Sequence, residues 1–200
     1  MDTARVAILR EALATTGWIE ASRHFAASLR RSTRAPGGLL LVGTPDDEPW
    51  HLAAHLDDEA RYAGIPQLSP TLVRWRPPPG SPQHLSIGLE RIQAARRGET
   101  VFVVTADEAP PALLERVSDA RRIGATVFAL DRGDRELESL AHEALTVPQS
   151  GITTPAPVSF DLAQHLVSAA AGEIAGGGRG RRGMRDRLAR LLDTISGPAR

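Results

Sequence analysis

Two histidines four residues apart, His51 and His55, have a spacing that suggests chemistry. On a helix, positions i and i+4 lie on one face, so both rings could share a metal ion. The same spacing also fits a partly exposed polar stripe on an amphipathic helix, which is the commoner case. No metal and no cofactor is therefore assigned. Two acidic strings draw the eye next: Asp46-Asp47-Glu48 and Asp107-Glu108, each a few residues beyond a short apolar run. Acids in a first helical turn favour the helix dipole, so Asp46, Asp47 and Glu48 read first as ordinary helix starters. His165 stands beside Gln164 late in the chain, while His24, His84 and His142 have no partner motif and read as surface residues. No Ser-His-Asp set, phosphate-binding P-loop or dinucleotide glycine pattern stands out.

The elements that must position these groups alternate in type. Leu39–Val42 and Val101–Val104 are unbroken apolar runs of strand length, as expected for strands buried on both faces. Thr126–Leu130 and Leu145–Val147 read as further strands, and Thr71–Val73 as a short one. Helical spacing of apolar residues runs through the first 35 residues (one or two helices), 46 to 63 with Leu52, Leu56 and Tyr62 on one side, and Gln83 to Arg97. It returns over Pro111–Ile123, Arg135–His142 and Phe160–Ile174. Pro77-Pro78-Pro79-Gly80 must be a loop. Strands alternating with helices imply a parallel sheet covered on both sides. Ligands in such sheets bind beyond the carboxyl ends of the strands, here after Val42 and after Val104.

Composition narrows the classes. The chain has 24 basic residues, all of them Arg, against 24 acidic ones, so no global field recruits nucleic acid or an anionic membrane. It has no cysteine, which excludes disulfides, thiolate metal sites and a Cys nucleophile. The N-terminal residues lack the apolar stretch of a signal peptide, and no run approaches the roughly 20 residues that span a bilayer. A cytoplasmic, bacterial-type protein is expected. Residues 176–183 are rich in Gly and Arg and read as a flexible linker; Leu188, Leu191, Leu192 and Ile195 beyond them fit a short amphipathic helix. Nucleic acid is an unlikely partner, reached at most weakly through this tail.

Several strings resemble the sugar isomerase (SIS) domain, in particular phosphoheptose isomerases. Gly37–Gly43 is similar to that family's first strand with its entry and exit, and Gly98–Val104 to the segment carrying its second core strand. Ala120–Leu130, continued by Leu137–Pro148, matches its pattern of helix, Gly-Ala-Thr strand, short helix and strand ending in Val-Pro. The resemblance spans about residues 20–175. It implies a three-layer α/β/α sandwich with a five-stranded parallel sheet, flavodoxin-like, and a homodimer or homotetramer. The expected organisation is a helical segment at 1–35, the SIS-like domain at 36–175 and the tail at 176–200.

The resemblance also implies a site. Family loops of Gly-Asn-Gly-Gly-Ser and Ser-Thr-Ser-Gly-Asn-Ser grip a sugar phosphate with hydroxyls and converging backbone N–H groups. Here the loops read Gly43-Thr44-Pro45-Asp46-Asp47-Glu48 and Thr105-Ala106-Asp107-Glu108-Ala109-Pro110. Carboxylates replace neutral donors, and one like-charge pair 4 Å apart is worth about 4 kcal/mol at an effective dielectric near 20. Pro45 and Pro110 each remove a backbone donor. By resemblance, Gly43, Thr44, Asp46, Asp47, Thr105, Asp107 and Glu108 form the ligand site. If the loops converge as in the family, the four carboxylates would surround one pocket and could hold a hard cation or an amine-bearing ligand. His51 matches a family His, and His55 takes the place of a Glu, that serve a metal or proton transfer; Gln164 and His165 stand where the final helix would supply a Gln and a His, but adjacent to each other. The expectation is a non-catalytic module that binds a carbohydrate derivative, such as a sugar phosphate, or makes regulatory contacts. The alternative is an aldose–ketose phosphosugar isomerase in which His55 or His165 moves the proton.

Overall fold

The computed structural model describes residues 16–149 and 158–173. Five strands form one all-parallel sheet: β1 (Leu39–Val42), β2 (Thr71–Val73), β3 (Thr100–Val104), β4 (Thr126–Asp131) and β5 (Glu143–Thr146), in the order β2-β1-β3-β4-β5. Side chains alternate across it. Leu39, Leu41, Phe102, Val104, Phe128 and Leu130 enter one core, and Leu40, Val42, Val101, Val103, Val127 and Ala129 the other. Because both faces are covered, both sets must be apolar, which is why the runs in the sequence are unbroken.

Helices α1 (Trp18–Ser32), α2 (Trp50–Ala63) and α6 (Phe160–Ala171) cover the first face; α3 (Glu90–Gln93), α4 (Pro111–Ile123) and α5 (Arg135–Leu140) cover the second. The result is the expected three-layer sandwich. Phe25 fastens α1, its ring 5.5 Å from Phe102 and 5.2 Å edge-on from Phe128. Proline at the first position of α4 suits a turn whose N–H groups have no helical partner, and Gly124, at φ 105°, ends the helix in the left-handed conformation that glycine adopts without strain.

Three helical expectations change. α2 begins at Trp50, because residues 43–49 form a closed turn, so Asp46, Asp47 and Glu48 precede the helix and do not cap it. Its buried stripe is Leu52, Leu56 and Ala60, whereas Tyr62 points outward and is 85% exposed. The stretch from Gln83 to Arg97 is a 3-10 turn (Gln83–Leu85) and the four-residue α3. Gly88 interrupts it: this residue bridges to Arg74 beside β2, and the Glu90 carboxylate folds back to accept its N–H. The periodicity was real, since Ile87, Leu89, Ile92 and Ala95 all pack inward, but tight turns satisfy it as well as a helix does. Smaller shifts move β4 one residue further, to Asp131, set β5 at Glu143–Thr146, and end α5 at Leu140. The tail and the first 15 residues lie outside the described residues.

Candidate functional site

The sheet order places a topological switch between β1 and β3, where the chain leaves in opposite directions and ligands bind in sheets of this kind. Two turns flank it.

The turn after β1 is closed on itself. Thr44 N–H donates to the Asp47 carbonyl at 3.1 Å, and Asp47 N–H donates to the Thr44 hydroxyl oxygen at 3.1 Å. Gly43 makes this possible: a Cβ there would lie 2.1 Å from the Asp47 carbonyl oxygen. Glu48 turns toward β2. Its carboxylate accepts from Arg74 Nε (2.9 Å), the Trp75 backbone N–H (3.2 Å) and Trp50 Nε1 (3.0 Å), while Trp75 Nε1 donates to the Gly43 carbonyl at 2.8 Å. Arg74 also stacks on the Trp50 ring, 4.6 Å from its centroid. Asp46 and Asp47 face solvent.

The turn after β3 is built differently. The buried Thr105 hydroxyl donates to the Asp107 carbonyl at 2.6 Å and accepts from Asp107 N–H at 3.2 Å. Ala109 N–H donates to Asp134 Oδ2 at 2.7 Å, and Asp134 Oδ1 caps α5 by accepting from Glu136 and Leu137 N–H. One carboxylate thus joins this turn to the turn after β4. Between them opens a cleft of about 590 Å³, lined by Asp107, Glu108, Arg132, Gly133, Asp134 and Arg135 among others. A shallower groove between α4 and α5 adjoins it, sharing Leu114 and Glu136.

Of the residues expected in the ligand site, Asp107 and Glu108 line this cleft, while Gly43, Thr44, Asp46 and Asp47 do not. The four carboxylates therefore do not share this cleft. The Thr105 hydroxyl both donates and accepts within its own turn, whereas the Thr44 hydroxyl accepts there from the Asp47 N–H.

Beneath the rim, on the α1–α2–α6 side, three histidines meet. His51 and His55 run nearly parallel, ring centroids 5.7 Å apart, and His165 from α6 meets His55 edge-on at 4.6 Å and lies 6.0 Å from His51. Burial first, then His55 and His51, pushes the His165 pKa down to about 4. Burial, then His51, also lowers that of His55. His165 Nδ1 is buried and has no hydrogen-bond partner among the described residues. Among those residues, no group of three or more His, Cys, Asp or Glu is arranged to hold a metal ion. His24 and His84 are exposed as expected. His142 is exposed too, yet its Nδ1 accepts from Val127 N–H at 3.0 Å and its own N–H donates to the Val127 carbonyl, so it holds the approach to β5 against β4.

Sequence reasoning missed Asp131, Arg132 and Asp134. Asp131 is wholly buried at the end of β4; its Oδ1 accepts from Gly133 N–H at 2.7 Å, and its Oδ2 has no partner among the described residues. Burial raises its pKa, with Glu138 and Asp134 adding in the same direction against the hydrogen bond from Gly133. Signals were present: Asp131 directly follows a buried run, and Asp134 stands where an N-cap belongs, just before Arg-Glu-Leu.

No family model matches the chain, and no curated protein matches it. Solved structures do. A protein from Silicibacter pomeroyi assigned as a phosphosugar isomerase is 16% identical with a TM-score of 0.55, over 94% of this chain and 52% of that one. The sugar isomerase domain of an RpiR transcription factor from Sphaerobacter thermophilus is 15% identical with a TM-score of 0.52, over 96% of this chain and 95% of that domain. The Vibrio vulnificus NanR protein, solved in complex with ManNAc-6P, is 12% identical with a TM-score of 0.51, over 97% of this chain and 69% of that one. The chain thus spans about half the length of the first of these and nearly the whole of an isolated domain. Identities this low speak for the fold and not for activity. No helix among the described residues is long and apolar enough to cross a membrane. From strand order to helical layers, the described chain has the fold of a sugar isomerase domain.

Proposed function

We propose that this chain is a non-catalytic SIS-type module that binds a carbohydrate derivative in the cleft between the β3 and β4 turns. One observation carries the reading: the Thr105 hydroxyl spends its proton on the Asp107 carbonyl of its own turn and the Thr44 hydroxyl is held by the Asp47 N–H, while the cleft presents Asp107, Glu108 and Asp134 beside Arg132 and Arg135. Such a wall of mixed sign suits a polyhydroxylated ligand bearing an amine or a weakly held anion better than a bare phosphate. NanR, which shares the fold, was solved in complex with ManNAc-6P, so N-acetylated hexosamine phosphates belong in the test beside free amines. Cytoplasmic location and assembly into a homodimer or homotetramer belong to this reading.

The test is a thermal-shift and calorimetric series with hexosamines, hexosamine phosphates, hexose phosphates and heptose phosphates. A ligand stabilises the fold by RT ln(1 + [L]/Kd), about 2.7 kcal/mol at a hundredfold excess over Kd. Preference for amine-bearing sugars, reduced by Asp107→Asn, is expected. Micromolar affinity for a plain hexose or heptose phosphate would overturn the reading.

The isomerase alternative draws on the histidine trio, because a neutral imidazole is the form that accepts a proton. His165, at about 4, is a weak base at neutral pH, and His55 is the better placed of the two to act. Aldose–ketose interconversion that disappears in His55→Gln would establish it.

A further inference from the structure

We infer that the three-histidine seam between α2 and α6 is an acid-sensitive latch: neutral rings hold α6 against α2, and protonating the seam loosens α6 while the sheet stays folded. The geometry carries this. Three imidazoles from two helices lie within 4.6 to 6.0 Å of one another, so a second proton on the seam places two like charges about one ring apart. An imidazolium is a donor at both nitrogens, yet Nδ1 of His165 is buried without an acceptor among the described residues. Protonating that ring in place would leave a buried donor unpaired, which the helix pair avoids by separating.

Among the described residues, the charged groups facing the seam are few. On α2, Asp58 favours the charged form of His55, but burial and His51 outweigh it. On α6, Asp161 favours the charged form of His165, and burial, His55 and His51 again prevail. Glu59 continues the stripe one turn beyond His55, with an Oε2 that is also buried. From α1, Arg30 donates to the Ala170 and Ala171 carbonyls and Arg23 pairs with Glu173, both at the far end of α6. That end stays anchored as the histidine end opens.

The sign follows. A histidine whose folded pKa lies below its unfolded value of about 6.5 binds fewer protons when folded, so stability is full above that value and declines as pH falls toward about 4. The latch has a route to the cleft, independent of which ligand the cleft takes. Phe160 opens α6 and lies 5.5 Å beneath the guanidinium of Arg132, a cleft residue.

Hydrogen exchange on the full chain, expressed as protection factors at pH 7.5 and pH 5.0, tests this. The latch requires α6 protection to fall at least tenfold at the lower pH while β3 and β4 amides hold theirs. The double substitution His55→Gln with His165→Asn must remove that pH dependence. Equal loss across α6 and the sheet, or a pH response that survives the double substitution, overturns the proposal. Should that variant fail to fold, NMR titration of the wild-type histidines decides: His165 titrating near 4 alongside α6 line broadening supports the latch, and three independent titrations near 6.5 refute it.

Discussion

The turns that leave β1 and β3 begin alike, a buried strand followed within two residues by a threonine whose hydroxyl accepts an N–H two or three residues on, yet they end in different roles. The β1 turn is welded into the scaffold through Gly43, Glu48, Arg74, Trp75 and Trp50. The β3 turn is tied to the β4 side by Thr105 N–H on the Leu130 carbonyl and by Ala109 N–H on Asp134, and opens on a cleft. Acidic residues in both turns thus act differently: Glu48 is a strut, while Asp107 and Glu108 face a space a ligand can enter. Position beyond a parallel strand makes a site available, and the partners a carboxylate finds decide whether it is spent on structure.

Substitutions separate the two roles. Gly43→Ala drives a Cβ to 2.1 Å from backbone and 2.7 Å from the Pro49 ring, and should cost roughly 3 kcal/mol, the upper range for overpacking. Thermal unfolding would then shift down by about 6–12 °C for a chain of this size. Glu48→Gln should cost about 2 kcal/mol in urea titrations, since it removes the charge facing a largely buried Arg74 and one of the two acceptor oxygens, and should leave cleft binding intact. A ligand-affinity loss in Glu48→Gln as large as that in Asp107→Asn would erase the distinction between the turns. Asp134→Ala removes a helix cap worth about 1 kcal/mol and also frees the β3 turn, so stability and ligand affinity should both fall.

Asp131 gives a prediction of opposite sign. Its folded pKa is raised, so the folded state loses stability as pH climbs above the ordinary 3.8. Asp131→Asn keeps an acceptor for Gly133 N–H and should raise the Tm at pH 7 by about 2 °C, a gain that shrinks as pH is lowered toward 4. A lower Tm at pH 7 would show that the ionised carboxylate is needed there. The smallest stability effect belongs to Asp107→Asn with Glu108→Gln, within about 0.5 kcal/mol because both are exposed. Their influence should appear as tighter binding of anionic ligands and weaker binding of amines.

The sequence by itself determined the layers. Strands covered on both faces must be apolar at every position, so Leu39–Val42 and Val101–Val104 could hardly be anything else, and Pro111 with Gly124 marked both ends of α4. It also singled out His51, His55 and His165, and only the family resemblance implied that they could meet, because i and i+4 fix neighbours on one helix and say nothing of a helix a hundred residues away. Only the tertiary structure decided the role of each charge. Glu48 finds Arg74 26 residues on and Asp134 reaches back 25 residues to Ala109, and such pairings depend on which loops the sheet order makes adjacent. A carboxylate's local sequence is the same whether it braces a turn or faces a ligand. Its energy depends on distance and burial, which the fold alone supplies.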